Sequence, residues 1–107
     1  MVINSEILKI KDGILSAVNV EKLYLFGSYA NGTPNEDSDY DFYIVIPDGG
    51  IRPIEAMRRA HTAMWEVDVD KPIDFLAGTT EIFNRRSKEV TLERKIAREG
   101  VLLYERG

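Results

Sequence analysis

Apolar positions along this chain switch between helical and strand periods, and the switches mark its elements. From Asn4 or Ser5 to about Val18, the residues Ile7, Leu8, Ile10, Ile14, Leu15 and Val18 recur at helical spacing. This predicts an amphipathic helix capped by Asn4 or Ser5. Glu21 to Phe26 reads as a short buried strand ended by Gly27, and Ser28 to Asn31 as one helical turn closed by Gly32. Thr33 to Ser38 is dense in turn formers and acids, which predicts an exposed loop. Tyr40 to Ile46 is an apolar run of strand length. A helix follows from Pro53 to about Glu66, with Ile54, Met57, His61, Met64 and Trp65 along its stripe. Ile73 to Ala77 is a third strand ended by Gly78. Thr79 or Thr80 then caps a helix that packs through Ile82 and Phe83, with a break near Ser87 to Val90. Thr91 to Glu99 gives a last helix on Leu92, Ile96 and the stem of Lys95, and Val101 to Tyr104 adds a strand or packs as an apolar tail.

Helices alternating with short strands in this order predict an α/β (α+β) fold, a small mixed sheet of three or four strands with helices packed on it. At 107 residues the expectation is a single domain, 1–107, around one core. The absence of cysteine excludes disulfides, a thiol nucleophile and zinc-thiolate sites. The net charge of −4, from 14 basic and 18 acidic residues, argues against bulk nucleic-acid binding, which depends on basic patches that release counterions. No apolar run approaches the length of a membrane span and no leader pattern is visible, so the cytoplasm is the expected location and no membrane partner is expected.

Candidate chemistry concentrates in Leu23 to Ile46, where two apolar runs flank Gly27-Ser28 and the pair Asp39 and Asp41. Side chains two apart on a strand share a face, so both carboxylates enter the second strand on one side. Held side by side they repel each other unless cations lie between them. The segment therefore reads as a phosphate and metal site. Gly27 to Gly32 has the outer spacing of a P-loop, but Thr33 stands where that motif needs its lysine. Asp37, Asp39 and Asp41 match three ligand positions of a calcium loop, yet Phe42 replaces the turn glycine, Asp48 the bidentate glutamate, and a strand follows instead of a helix. A G-x-G-x-x-G dinucleotide fingerprint is missing.

Gly27-Ser28, then ten intervening residues, then Asp39-Tyr40-Asp41, resembles the signature of the nucleotidyltransferase superfamily related to DNA polymerase β, and within it the minimal nucleotidyltransferases. The resemblance extends through Asp37-Ser38-Asp39-Tyr40-Asp41, through Asp74 in the third apolar strand, and to the closing segment Ile96 to Glu105. Asn31 stands where many members carry arginine. The resemblance implies a nucleotidyltransferase fold, with Asp39, Asp41 and Asp74 as catalytic and metal-ligating residues and Gly27, Ser28 and Ser38 as nucleotide contacts. It also implies ATP as substrate and two Mg²⁺ ions as cofactors, which stabilise the attacking and leaving oxygens together. About thirty residues follow Asp74, so the acceptor is expected on another molecule. Minimal members commonly act as antitoxins that adenylylate a tyrosine of a helical HEPN-type toxin, and such a partner is the expectation here. The alternatives are a non-catalytic module that neutralises its partner by occlusion, and an enzyme modifying a small molecule. Asp68 and Asp70 compete with Asp74 for the third acid but read as loop residues before Pro72. His61, on its helix's apolar stripe, reads as packing, the five tyrosines as packing residues, and the arginine and lysine pairs as solvated helix faces.

Overall fold

The computed structural model describes residues 3–106. Helix α1 spans Ser5–Ala17, and the Asn4 side chain caps it by accepting the Ile7 N–H at 2.8 Å. Strand β1, Lys22–Phe26, leads through Gly27 into the single turn α2, Ser28–Asn31, which ends at left-handed Gly32. Strand β2 is Tyr40–Ile46, buried along nearly its whole length. Helix α3, Pro53–Ala63, tightens into a 3₁₀ turn at Met64–Glu66. Strand β3, Ile73–Thr79, runs through Gly78 into α4, Thr80–Arg86, whose cap is Thr79. Helix α5, Leu92–Glu99, is capped by Thr91, and Val101–Glu105 forms a true strand, β4.

The sheet order is β3-β2-β1-β4. β1 lies antiparallel to both β2 and β4, while β2 and β3 are parallel, so the sheet is mixed and four-stranded. Because strand side chains alternate, the sheet has two cores. On one face Tyr40, Phe42, Ile44 and Ile46 meet Ile7, Ile10 and Ile14 of α1 and Ala56 and Ala60 of α3. On the other, Tyr24, Tyr43 and Val45 pack on Phe83 of α4 and Ile96 of α5. A strand buried on both sides carries a nearly continuous apolar run, and β2 is such a strand. Asp41 is its only acidic residue. Among the described residues no helix is long and apolar enough to cross a membrane.

The stripe expected on α3 is corrected. Ile54 is 65% and Trp65 89% exposed, whereas Ala56 and Ala60 are fully buried with Met57 and Met64 beside them. Ala56 and Ala60 lie one turn apart and lack bulk, so the helix backbone can approach the sheet closely at those positions. A pattern read from large apolar residues alone misses a contact made by alanines. His61 is exposed, yet its ring stands edge-on to Phe75 with centroids 4.9 Å apart.

Candidate active site

The parallel pairing of β2 with β3 places Tyr40 beside Ile73, Asp41 beside Asp74 and Phe42 beside Phe75. Asp41 and Asp74 therefore project from neighbouring strands on one face, the face that carries Tyr43 and α5. Asp39 precedes β2 by one residue and lies close enough to influence Asp41 electrostatically. Burial first, then the Asp74 charge, the Asp39 charge and a hydrogen bond with Asp74, together raise the Asp41 pKa to about 6. Three carboxylates thus converge, with the innermost one held partly protonated near neutrality.

Gly27 closes this cluster from the β1 side, since Phe26 is the antiparallel partner of Asp41. Its φ is +77°, a left-handed backbone that glycine adopts without penalty. A Cβ there would also collide with Asp41 Oδ2. The backbone of the Gly27-Ser28 turn therefore lies directly against the carboxylate, a proximity that a side chain at position 27 would disturb. In the α2 turn Gly27 O accepts the Asn31 N–H at 3.0 Å, while the first amides of such a turn have no carbonyl behind them.

The loop before β2 is clamped by its own polar groups. Ser38 Oγ accepts the Asn35 N–H at 2.9 Å and Asn35 Oδ1 accepts the Asp37 N–H at 2.8 Å. Lys71 Nζ donates to Glu36 O at 3.0 Å, and the Tyr40 N–H donates to Pro72 O at 3.1 Å. These bonds tie the segment carrying Asp39 to the segment that leads into Asp74. Ser38 sits at the base of this loop, with one lone pair committed to it. Asp68 and Asp70 lie in the loop before β3, outside the strand that presents Asp74.

Two side-chain networks that sequence reasoning missed support the cluster. Tyr40 points away from the acids into the first core, where its hydroxyl donates to Glu6 Oε1 at 2.6 Å and accepts from Asn4 Nδ2 at 3.2 Å. Burial, then the Glu6 hydrogen bond, push this phenol well above the usual tyrosine range. On the site's own face Tyr43 donates to Glu93 Oε2 at 3.1 Å, and Glu93 Oε1 lies 3.0 Å from Arg86 Nε as an ion pair outside hydrogen-bond alignment. Gly78 opposite gives the Tyr43 hydroxyl its space, for a Cβ there would strike it. Partners 34 and 50 residues apart leave no local signal in a sequence.

Among the described residues no three His, Cys, Asp or Glu side chains form a ready-made metal cage. The donor set nevertheless suits a hard divalent cation. Magnesium is held by one or two carboxylates together with substrate phosphates and water, not by an all-protein cage, and the mutual repulsion recorded in Asp41 is what such a cation relieves.

A mixed sheet that sets paired carboxylates against a glycine-serine turn is the architecture of nucleotidyl-transferring domains. The chain belongs to the polymerase beta nucleotidyltransferase family, whose model matches residues 8–107. No curated protein is significantly similar to it. Among solved structures, a Sulfolobus solfataricus protein described as a nucleotidyltransferase aligns with a TM-score of 0.60 at 20% identity, over 92% of this chain and 76% of that one. A toxin-antitoxin complex with AMP-PNP aligns at 0.57 and 20%, over 96% and 75%, and a mutant MntA-HpeT toxin-antitoxin at 0.55 and 16%, over 96% and 75%. At these identities the likeness is one of fold.

Proposed function

We propose that this domain transfers AMP from ATP to a hydroxyl of a protein partner, a tyrosine of a helical HEPN-type toxin, with pyrophosphate as the leaving group, and acts as its antitoxin. The observation that carries the reading is the register of Asp41 beside Asp74 against Gly27, in a chain of the polymerase beta nucleotidyltransferase family. Magnesium, held by these carboxylates together with the triphosphate, would supply charge neutralisation for the attacking and leaving oxygens. Asp39 and Asp41 would hold it on the phosphate side, and Asp74 nearer the acceptor hydroxyl. Gly27 lets the backbone approach the phosphates without a side chain in the way, and the Ser28 amide and hydroxyl donate to them. Ser38 keeps the loop that carries Asp39 in place.

The partner assignment is supported by two toxin-antitoxin complexes among the structures of like fold, one with AMP-PNP. It is also supported by access: Asp74 lies exposed on edge strand β3 next to half-exposed Leu76, so an acceptor on another molecule can reach it. Incubation with magnesium, labelled ATP and the helical protein encoded beside it should label that protein. Equal labelling by wild type and by the Asp39→Ala, Asp41→Ala double variant, or none by either, would overturn the proposal.

A second reading, neutralisation by occlusion, is favoured by Asn31, which places no positive charge at the end of the α2 turn. Full neutralisation of the partner by the double aspartate variant would select it.

A further inference from the structure

A cavity of about 240 Å³ opens between β1, α2 and α5, with Gly27 in its wall and none of the three carboxylates lining it. Phe26, Leu92 and Ile96 supply its apolar surface, and Lys95 and Glu99 are exposed polar groups on its wall. Leu92, Lys95, Ile96 and Glu99 follow the i, i+3, i+4, i+7 spacing, so one face of α5 is presented to the cavity. Leu92 is 42% exposed, an apolar side chain left open beside a half-buried aromatic. An apolar slot with a few polar groups at its edge suits a flat heterocycle and not a phosphate, which would be desolvated there.

We infer that this slot takes the nucleobase of the triphosphate, stacked on Phe26, with Lys95 donating to and Glu99 accepting from its polar edge. The inference rests on the reading of Gly27 and Asp41 as the phosphate end of the site. Phe26 is bonded to Gly27 and paired with Asp41 across the strands, so a base on Phe26 and phosphates beside Asp41 are one nucleotide's reach apart. Aromatic side chains are general platforms for bases because each base has a π-face. A donor and an acceptor side by side match the mixed edge that bases present.

The test compares a non-hydrolysable ATP analogue with inorganic tripolyphosphate, both with magnesium, by titration calorimetry on the whole chain. The wild type should bind the analogue at least tenfold more tightly than tripolyphosphate. Leu92→Trp, which fills the slot from an exposed position, should remove that advantage and leave tripolyphosphate binding unchanged, with thermal unfolding as the folding control. Glu99→Ala, at an exposed helix position, should weaken the analogue severalfold and likewise spare tripolyphosphate. Unchanged analogue affinity in both variants would overturn the base slot alone. Failure of the wild type to bind either ligand would overturn the phosphate site and the slot together.

Discussion

Asp41 of β2 and Asp74 of β3 are register partners in a parallel strand pair, and their proximity, after burial, keeps Asp41 protonated to about pH 6. The shift sets a sign. A carboxyl whose folded pKa lies above its unfolded value of 3.8 binds more protons when folded, so stability falls as pH rises between those two values and the cost is complete above the higher one. Asp41→Asn should therefore stabilise the metal-free fold at pH 7.5, by about 1 kcal/mol after allowance for partial exposure, and leave it unchanged at pH 4. Thermal unfolding at the two pH values checks this. Added magnesium should raise the midpoint of the wild type and not of the variant.

Gly27 and Asp41 are coupled through space. Gly27→Ala forces a side chain into a left-handed backbone and against the Asp41 carboxylate, at a cost of about 1 to 3 kcal/mol. In the Gly27→Ala, Asp41→Ala double variant the collision is gone and only the backbone strain remains. The two substitutions should be non-additive in urea unfolding, the double variant being more stable than the sum of the singles. Additivity within about 0.3 kcal/mol would contradict the close contact.

Glu93 anchors α5 over the second core. Burial alone would raise its pKa, but its own backbone N–H, Arg86 and Tyr43 outweigh that and hold it below the usual glutamate value. The stability it contributes is present above the unfolded pKa and disappears as pH falls through the folded one. Glu93→Ala should cost about 1 to 2 kcal/mol at pH 7 by leaving the Tyr43 hydroxyl without its acceptor, and the difference from wild type should shrink toward pH 3 in denaturant titrations.

Tyr40→Phe removes a buried hydroxyl that joins Glu6 to Asn4. About 1 to 2 kcal/mol should be lost, and because Tyr40 lies between Asp39 and Asp41, amide exchange should quicken at the start of β2 as well as in the first turn of α1. By contrast, Trp65→Ser should fall within about 0.5 kcal/mol of wild type in the same measurement, since Trp65 is 89% exposed.

That contrast shows where sequence legibility stops. β2 was readable to the residue because a run buried on both faces is apolar throughout, while the caps were narrowed to Asn4 or Ser5 and to Thr79 or Thr80, of which Asn4 and Thr79 accept the amide three residues ahead. The conjunction of Gly27 with Asp41 was foreshadowed by the glycine-serine turn before a spaced aspartate pair. On α3 the rule failed, because the contact with the sheet is made by Ala56 and Ala60, which carry too little hydrophobicity to stand out beside Trp65. The ties of Glu6 to Tyr40 and of Glu93 to Tyr43, and the slot beside Phe26, depend on which faces meet in space. Nothing local encodes that.

The parallel pairing of β2 with β3 also places the acids in the order of folding. β1 and β2 are joined by a modest loop, but β3 reaches β2 only after the chain has crossed over through α3, and parallel, non-local pairings are the slow steps of small-domain folding. Gly27, Asp39 and Asp41 are brought together by the β1–β2 pairing alone, and the larger repulsion, that of Asp74, enters only when β3 docks at the sheet's edge. A chain interrupted before β3 would hold Gly27, Asp39 and Asp41 without Asp74, so the cluster of three acids is complete only once β3 has paired with β2.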